Sequence, residues 1–203
     1  KTTLLDGRVR LLGSAYFLDW KDMIMVENDP DVGASNPLSF YNTNSGGAEI
    51  KGLELEVSAF LTDRLTVRAS GDLNDTEVTS SVLFPNSNTG GQTTGKELIY
   101  APNHSASLAL DYEIPLNNGW GLGFHVDQAW VAEQFTNTAN DITIDSYSKT
   151  NARVTGRSGD GKWRLALYAT NLTNEEIVRN LEGLASYYWF PPRQIGLEFG
   201  YRM

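Results

Sequence analysis

At 203 residues, 40% hydrophobic, without cysteine and with a net charge of −9, the chain has room for one ordinary domain. Those values leave no disulfide framework, thiolate zinc site or cysteine nucleophile. They also argue against a dedicated nucleic-acid binder, which carries a basic face.

No run approaches the roughly 18–20 uninterrupted apolar residues of a membrane-spanning helix, yet membrane barrels remain compatible because their alternating strands average out in any hydropathy window. The start, Lys1-Thr2-Thr3-Leu4-Leu5-Asp6-Gly7, lacks the apolar core of a signal peptide. The expectation is a removed leader or a chain that begins partway through a larger protein.

In chain order, residues 1–5 read as the tail of a strand closed by the Asp6-Gly7 turn, followed by a long strand over 8–26. In that strand Leu12, Tyr16 and Leu18 share the parity of Arg10, so its faces are mixed. After a polar segment at 27–39, a return strand over 48–61 sets Leu53, Leu55, Val57, Ala59 and Leu61 against Glu54, Glu56 and Ser58. Thr62-Asp63 is a short turn into a strand over 64–78, where Leu65, Val67, Ala69, Gly71 and Leu73 oppose Arg68, Ser70 and Asp72.

The next connection, 80–104, has a Gly/Thr/Asn-rich tip at 87–95 that lacks the Lys-Ser/Thr ending of a phosphate-binding loop. Strands over 105–114 and 120–131 follow, joined by a turn at 115–119. The first sets Ala106, Leu108, Leu110, Tyr112 and Ile114 against Ser107, Asp111 and Glu113. The second sets Trp120, Leu122, Phe124 and Val126 against His125 and Asp127. A polar segment at 132–146 leads to strands over 147–157 and 162–170, joined by the Asp160-Gly161 turn. Arg153, Arg157 and Arg164 mark the polar faces there. A last long segment, 171–192, precedes a final strand over 193–202.

Side chains alternate across a strand, and about 30 positions fall on the apolar face with none charged, where a chain that is 20% charged would place about six by chance. Short turns alternate with long polar connections, the habit of outer-membrane barrels whose long loops lie outside the cell. Trp120, Trp163 and Tyr201 sit at the short-turn ends of the apolar face, where an interfacial aromatic girdle belongs. A soluble antiparallel sheet also alternates, but has no reason to sort its loops. The predicted fold is all-β, an antiparallel transmembrane β-barrel, with about eight strands in this chain.

Five segments carry a family resemblance. They are Leu4-Leu5-Asp6-Gly7-Arg8-Val9-Arg10-Leu11, Ala48-Glu49-Ile50-Lys51-Gly52-Leu53-Glu54-Leu55-Glu56 and Tyr168-Ala169-Thr170-Asn171-Leu172-Thr173-Asn174. The other two are Tyr187-Tyr188-Trp189-Phe190-Pro191-Pro192-Arg193 and the terminal Gln194-Ile195-Gly196-Leu197-Glu198-Phe199-Gly200-Tyr201. In their order and spacing they resemble the last third of TonB-dependent outer-membrane receptors. The terminal one resembles the signal that the barrel-assembly machinery reads by strand addition, carried on Gln194, Gly196, Phe199 and Tyr201. One departure is that Arg202-Met203 follow the terminal aromatic.

The resemblance implies the C-terminal strands of a 22-stranded barrel around an N-terminal plug, with the plug and earlier strands outside residues 1–203. It further implies uptake of a scarce nutrient, an iron-siderophore above all, driven by the inner-membrane TonB energy-coupling protein. The rival readings are a small eight-stranded anchor or adhesion barrel, a passive porin and an outer-membrane hydrolase.

No catalytic constellation, metal site or cofactor motif is expected. His104 and His125 lack metal-ligand spacing, and His125 beside Asp127 reads as part of a lumen network rather than an acid/base pair. Glu54 and Glu56 fit a solvated pore wall better than a glycosidase pair. Arg68, Asp72, Asp111, Asp127, Arg153 and Arg164 are expected to face the lumen or plug. The aromatic run Tyr187, Tyr188, Trp189 and Phe190 is the candidate extracellular ligand contact.

Overall fold

A computed structural model describes residues 1–28, 40–80, 94–182 and 186–203. Its frame is one antiparallel sheet. The strands are β1 (Thr2–Leu4), β2 (Val9–Asn28), β3 (Phe40–Phe60), β4 (Leu65–Ser80), β5 (His104–Pro115) and β6 (Gly121–Val131). β9 (Tyr147–Arg157), β10 (Trp163–Thr170) and β13 (Gln194–Tyr201) complete it. The nine strands pair in chain order, as a meander does. Among the described residues the end strands β1 and β13 are not paired with each other, so the sheet is an open wall. β7 (Gln134–Phe135) with β8 (Thr143–Ile144), and β11 (Val178–Glu182) with β12 (Ser186–Trp189), form two small hairpins inside the long connections.

All the short turns lie at one end. In the first, Leu5, Asp6 and Gly7 take positive φ and the Arg8 N–H donates to the Leu5 carbonyl at 3.0 Å. In the second, Thr62 Oγ1 accepts from the N–H groups of Arg64 and Leu65 at 3.1 and 3.0 Å. The third turns on Gly119 (φ 82) and the fourth on Gly161 (φ 71), where a side chain would be strained.

In that fourth turn Asp160 accepts from the Ser158 hydroxyl and, at 3.0 Å, from the Lys162 N–H. The hydroxyl bond first, then the backbone bond, holds its carboxyl below the ordinary aspartate value. A depressed carboxylate stabilises the fold above its unfolded pKa and loses that contribution as pH falls through the folded value. The Gly161 amide resonance is therefore expected to titrate with a midpoint below the ordinary aspartate value, a dependence that Asp160→Asn removes. A midpoint at or above the ordinary value would contradict the assignment.

Register decides the faces. Leu65, Val67 and Ala69 pair with Tyr112, Leu110 and Leu108, and the last two of these with Val126 and Gln128. Leu167 lies between Val154 and Leu197. Among the described residues nothing covers the apolar face: Leu197 is 75% exposed, Ile195 68%, Phe199 67% and Leu53 55%. The buried apolar side chains of the described residues are few: Met23, Ala48, Ala59, Val78, Ala132, Ile144, Ala166 and Ile177. A soluble sheet would cover such a face, because monomers rarely expose apolar patches beyond a few hundred Å².

The apolar band has a defined upper limit. Above Leu53 and Leu73 the same face turns charged, with Asp19 opposite Glu49, Glu49 opposite Glu77 and Lys51 opposite Asp75. From Leu65 to Leu73 the band runs roughly 27 Å along the strand. A tilt of about 40° reduces this to roughly 20 Å, close to the height of a barrel's apolar belt.

The structure corrects three sequence readings. β3 begins at Phe40, not 48, because its polar, glycine-containing first half pairs with the upper part of β2 across a bulge between Trp20 and Met23, where Asp22 takes φ 53. The mixed faces of β2 resolve as Val9, Leu11, Gly13, Ala15 and Phe17 on the apolar side, opposite Ala59, Val57, Leu55, Leu53 and Lys51. Tyr16 then lies on the polar side, over Gly52. The segments 132–146 and 171–192 carry hairpins instead of plain loops, too short to show a period and held by the buried Ile144 and Ile177. Most of 27–39 and 80–104, including the tip at 87–93, lies outside the described residues.

Candidate functional site

One lateral row of directly paired residues crosses the polar face from β4 to β13: Thr66, Asp111, His125, Arg153, Tyr168 and Gly196. Arg68 donates to Asp111 Oδ2 at 2.6 Å, and Asp111 Oδ1 lies 2.9 Å from His125 Nδ1. His125 Nε2 lies 3.1 Å from Asp127 Oδ1, whose other oxygen accepts from Asn151 Nδ2 at 2.7 Å. Each imidazole nitrogen thus faces a carboxylate oxygen, so neither is presented to an open space as a metal ligand or general base. His125 thus joins Asp111 and Asp127 in one hydrogen-bonded network. Further along, Glu198 of β13 accepts from both Arg153 and Arg164, and the Arg153 guanidinium lies 5.3 Å from the Tyr168 ring centre.

Of the six residues expected to line the lumen, Arg68, Asp111, Asp127, Arg153 and Arg164 fall into these two adjoining clusters. Asp72 does not. It lies opposite Glu54 and accepts from Ser105, while Glu54 accepts from Ser14 at 2.8 Å. Sequence reasoning assigned no role to Asn151 and named Glu198 only as part of the terminal segment. The alternation that put Glu198 on the polar side was its available signal.

The first cluster continues upward into a loop. Asn151 Oδ1 accepts from the Asn171 N–H at 3.0 Å. Asn171 is 1% exposed and takes φ 50, a left-handed conformation that asparagine tolerates better than most residues. Its Nδ2 donates to the carbonyls of Glu175 and Pro191 at 2.8 and 3.4 Å, and its Oδ1 accepts from the Glu175 N–H at 2.9 Å. Asn174, also at positive φ, accepts from the Arg193 N–H at 3.0 Å. One buried amide therefore ties both ends of the 171–192 connection to the wall.

The aromatic run sits on that anchor. Phe190 packs 6.1 Å from Tyr147, and Lys149 Nζ lies 5.2 Å from its ring centre. Tyr147 and Lys149 share the parity of Asn151 and Arg153, so the run returns over the polar face. Tyr188 and Trp189 are 50% and 54% exposed; the Tyr187 side chain lies outside the described residues. A hollow of about 300 Å³ is lined by Asn174, Glu175, Glu176, Trp189, Phe190 and Pro192.

At the opposite end of the wall Trp163 packs 4.4 Å from Tyr201 and 5.5 Å from Phe199, on the apolar face. Gln194 and Gly196 face the polar side with Thr170 and Tyr168. A Cβ on Gly196 would lie 2.4 Å from Tyr168 Cζ, so Gly196→Ala must swing that ring off the Arg153 guanidinium. The expected cost is about 1–2 kcal/mol. In a Tyr168→Ala background the same change is expected to cost much less, a difference that a double-mutant cycle in urea measures. Equal costs in both backgrounds would show that the ring is not the obstacle.

The TonB dependent receptor-like β-barrel family model matches residues 1–172. The chain is 27% identical to the Ferrichrome outer membrane transporter/phage receptor of Escherichia coli (strain K12), over 94% of this chain and 24% of that protein. It is 26% identical to the Ferrioxamine receptor of Yersinia enterocolitica, over 81% of this chain and 22% of that one. Among solved structures, the ferric yersiniabactin uptake receptor FyuA from Yersinia pestis matches with TM-score 0.77 at 16% identity, over 96% of this chain and 27% of that one. The siderophore receptor PiuA from Acinetobacter baumannii matches with TM-score 0.75 at 17% identity, over 98% and 26%. The chain spans about a quarter of the length of these relatives.

Proposed function

The chain belongs to the TonB dependent receptor-like β-barrel family, and from that premise we propose that it is wall and loops of an energy-coupled uptake receptor for ferric siderophores in the bacterial outer membrane. The observation that carries this reading is the division of the sheet. One face is apolar, uncovered and free of charge over the height of a membrane belt; the other carries a hydrogen-bonded ionic network that climbs into an anchored loop. Lipid solvates the first, and the second lines a lumen. A 22-stranded barrel, an N-terminal plug and the remaining strands complete the receptor, and TonB engages the part that precedes this chain.

In this reading Arg68, Asp72, Asp111, Asp127, Arg153 and Arg164 shape the lumen surface against which the plug rests. Tyr187, Tyr188 and Trp189 meet the ligand at the mouth, and their platform is built in advance, which lowers the ordering cost of binding. Gln194, Gly196, Phe199 and Tyr201 present the edge that the barrel-assembly machinery pairs with. One relative is a transporter by name and another a receptor, which supports transport rather than catalysis as the proposed activity. A closed small barrel is disfavoured because, among the described residues, the end strands β1 and β13 do not pair with each other.

The test is uptake of radiolabelled iron by iron-starved cells that carry the full-length receptor. Accumulation of a ferric hydroxamate that stops when a protonophore collapses the inner-membrane gradient is the expected result. Uptake indifferent to the protonophore, together with ligand-independent conductance in planar bilayers, would assign a passive porin instead.

A further inference from the structure

The long connections are tied to one another as well as to the wall. In segment 94–103 the Gly95 N–H donates to the Val78 carbonyl at 2.8 Å and the Leu98 N–H to Thr76 Oγ1 at 3.0 Å. These bonds lay the segment along the top of β4, where Thr76 and Val78 are buried.

Asn140, in the next connection, reaches across to this segment. Its Oδ1 accepts from the Glu97 N–H at 2.7 Å, and its Nδ2 donates to the Glu97 carbonyl at 3.1 Å. One amide thus pairs with both backbone groups of one residue, as Asn171 does with Glu175. Asn140 stands at φ 54, in a turn where Asn137 Oδ1 accepts from the N–H groups of Asp141 and Ile142 at 3.3 Å. A further bond, from the Tyr100 N–H to the Phe135 carbonyl at 2.8 Å, joins the same two connections.

That connection meets the aromatic one through apolar side chains. Ile144 of β8 and Ile177, one residue before β11, are both buried and line one hollow of about 210 Å³. β8 and β11 lie against each other, and the Ile177 carbonyl accepts from the Phe190 N–H at 2.9 Å. Contacts therefore run from Glu97 through Asn140, Ile144 and Ile177 to the aromatic run, and Asn171 fixes that end to Asn151 of β9. Segments that share their buried contacts are energetically coupled and open together.

We propose that the described parts of these three connections, 94–103, 132–146 and 171–192, open as one cooperative unit, in which Asn140 positions segment 94–103 on the other two. A ligand held by the aromatic run then orders the whole unit. By linkage, a ligand that binds only the closed form lowers the open population of every part by the same factor. The unit stands on the contacts themselves, and its response to ligand rests on the uptake reading above.

Amide-resolved hydrogen exchange of the full-length receptor in nanodiscs tests this. The reporters are the Gly95, Leu98 and Phe190 amides, whose acceptors are Val78, Thr76 and Ile177 rather than Asn140. In the unliganded receptor the three are expected to share one dependence on urea, the mark of a common opening. A linear ferric trihydroxamate at about a hundred times its Kd is expected to slow all three by a common factor, up to about a hundredfold. In Asn140→Ala the slowing at Gly95 and Leu98 is expected to fall to within about threefold, with Phe190 still responding. Asn140→Gly, which takes φ 54 without strain and lacks the amide, is expected to match Asn140→Ala. Separate urea dependences in the unliganded receptor overturn the proposal, and so does slowing confined to Phe190 in the unmutated receptor. Slowing at Gly95 and Leu98 that survives both variants overturns it as well, because the ligand then reaches segment 94–103 without Asn140. Failure of the chelate to bind, with no energised uptake, overturns the uptake reading, and the urea dependences still decide the unit.

Discussion

Leu110→Arg is expected to destabilise the folded receptor by about 2–4 kcal/mol in a phospholipid bilayer, the cost of a cationic side chain on a lipid-facing strand near the midplane. Leu110 lies in the middle of its apolar row, opposite Val67 on one side and Val126 on the other. Ser107→Arg, on the polar face of the same strand, is the control. There Ser107 shares a 2.8 Å hydrogen bond with Ser70, and Asp72 lies on the same face nearby, so an arginine meets water and a carboxylate. Its expected cost is under about 1 kcal/mol, as for a substitution at a hydrated surface position. Urea titration of the receptor refolded into vesicles reads both values. Spin labels at Leu108 and Leu165 are expected to report hydrocarbon in the same vesicles. Equal costs at positions 107 and 110, or a water-soluble monomer whose labels report a dry protein interior, would remove lipid from the account, and the importer with it.

Asn171→Ala is expected to release the loop without loosening the wall. The change strands three backbone groups, the Glu175 N–H and the carbonyls of Glu175 and Pro191, in a position that is 1% exposed. It also places alanine at φ 50. A buried polar group left without a partner costs roughly 1–3 kcal/mol, so a local loss of about 3 kcal/mol is expected. Hydrogen exchange at the Glu175 and Phe190 amides should accelerate by about two orders of magnitude, a local opening of the kind that spans low-stability segments. The β9 and β10 amides should be unchanged. Asn171→Gly keeps the conformation but not the bonds, and is expected to fall between. An equally protected Glu175 amide in Asn171→Ala would show that the aromatic hairpin holds itself.

Several features were legible because they depend on near neighbours. The period of two put Leu53, Leu55 and Val57 on one side and Glu54 and Glu56 on the other, and the register bears this out. Turn chemistry at Asp6-Gly7 and Asp160-Gly161 located two reversals, and both glycines take positive φ. His125 read as a network member and is one. Other features were illegible for a physical reason. Whether Tyr16 or Phe17 faces the lipid side depends on which β3 residue each opposes, and that is a choice between long-range registers. The same holds for Glu198, whose partners Arg153 and Arg164 are 45 and 34 residues away in the chain.

By itself, then, the sequence determined that the chain makes strands, that most of them have a wet and a dry side, and that the long polar connections gather at one end. These follow from alternation, turn residues and composition, all local quantities. Only the tertiary structure decided which wet side chains meet, and it strung Arg68, Asp111, His125, Asp127, Asn151 and Asn171 into one line from wall to loop. Apart from His125 to Asp127, two residues apart on β6, each link joins neighbouring strands or a strand to the loop above it, and such a hydrogen bond of about 3 Å exists only after register has brought its two ends together.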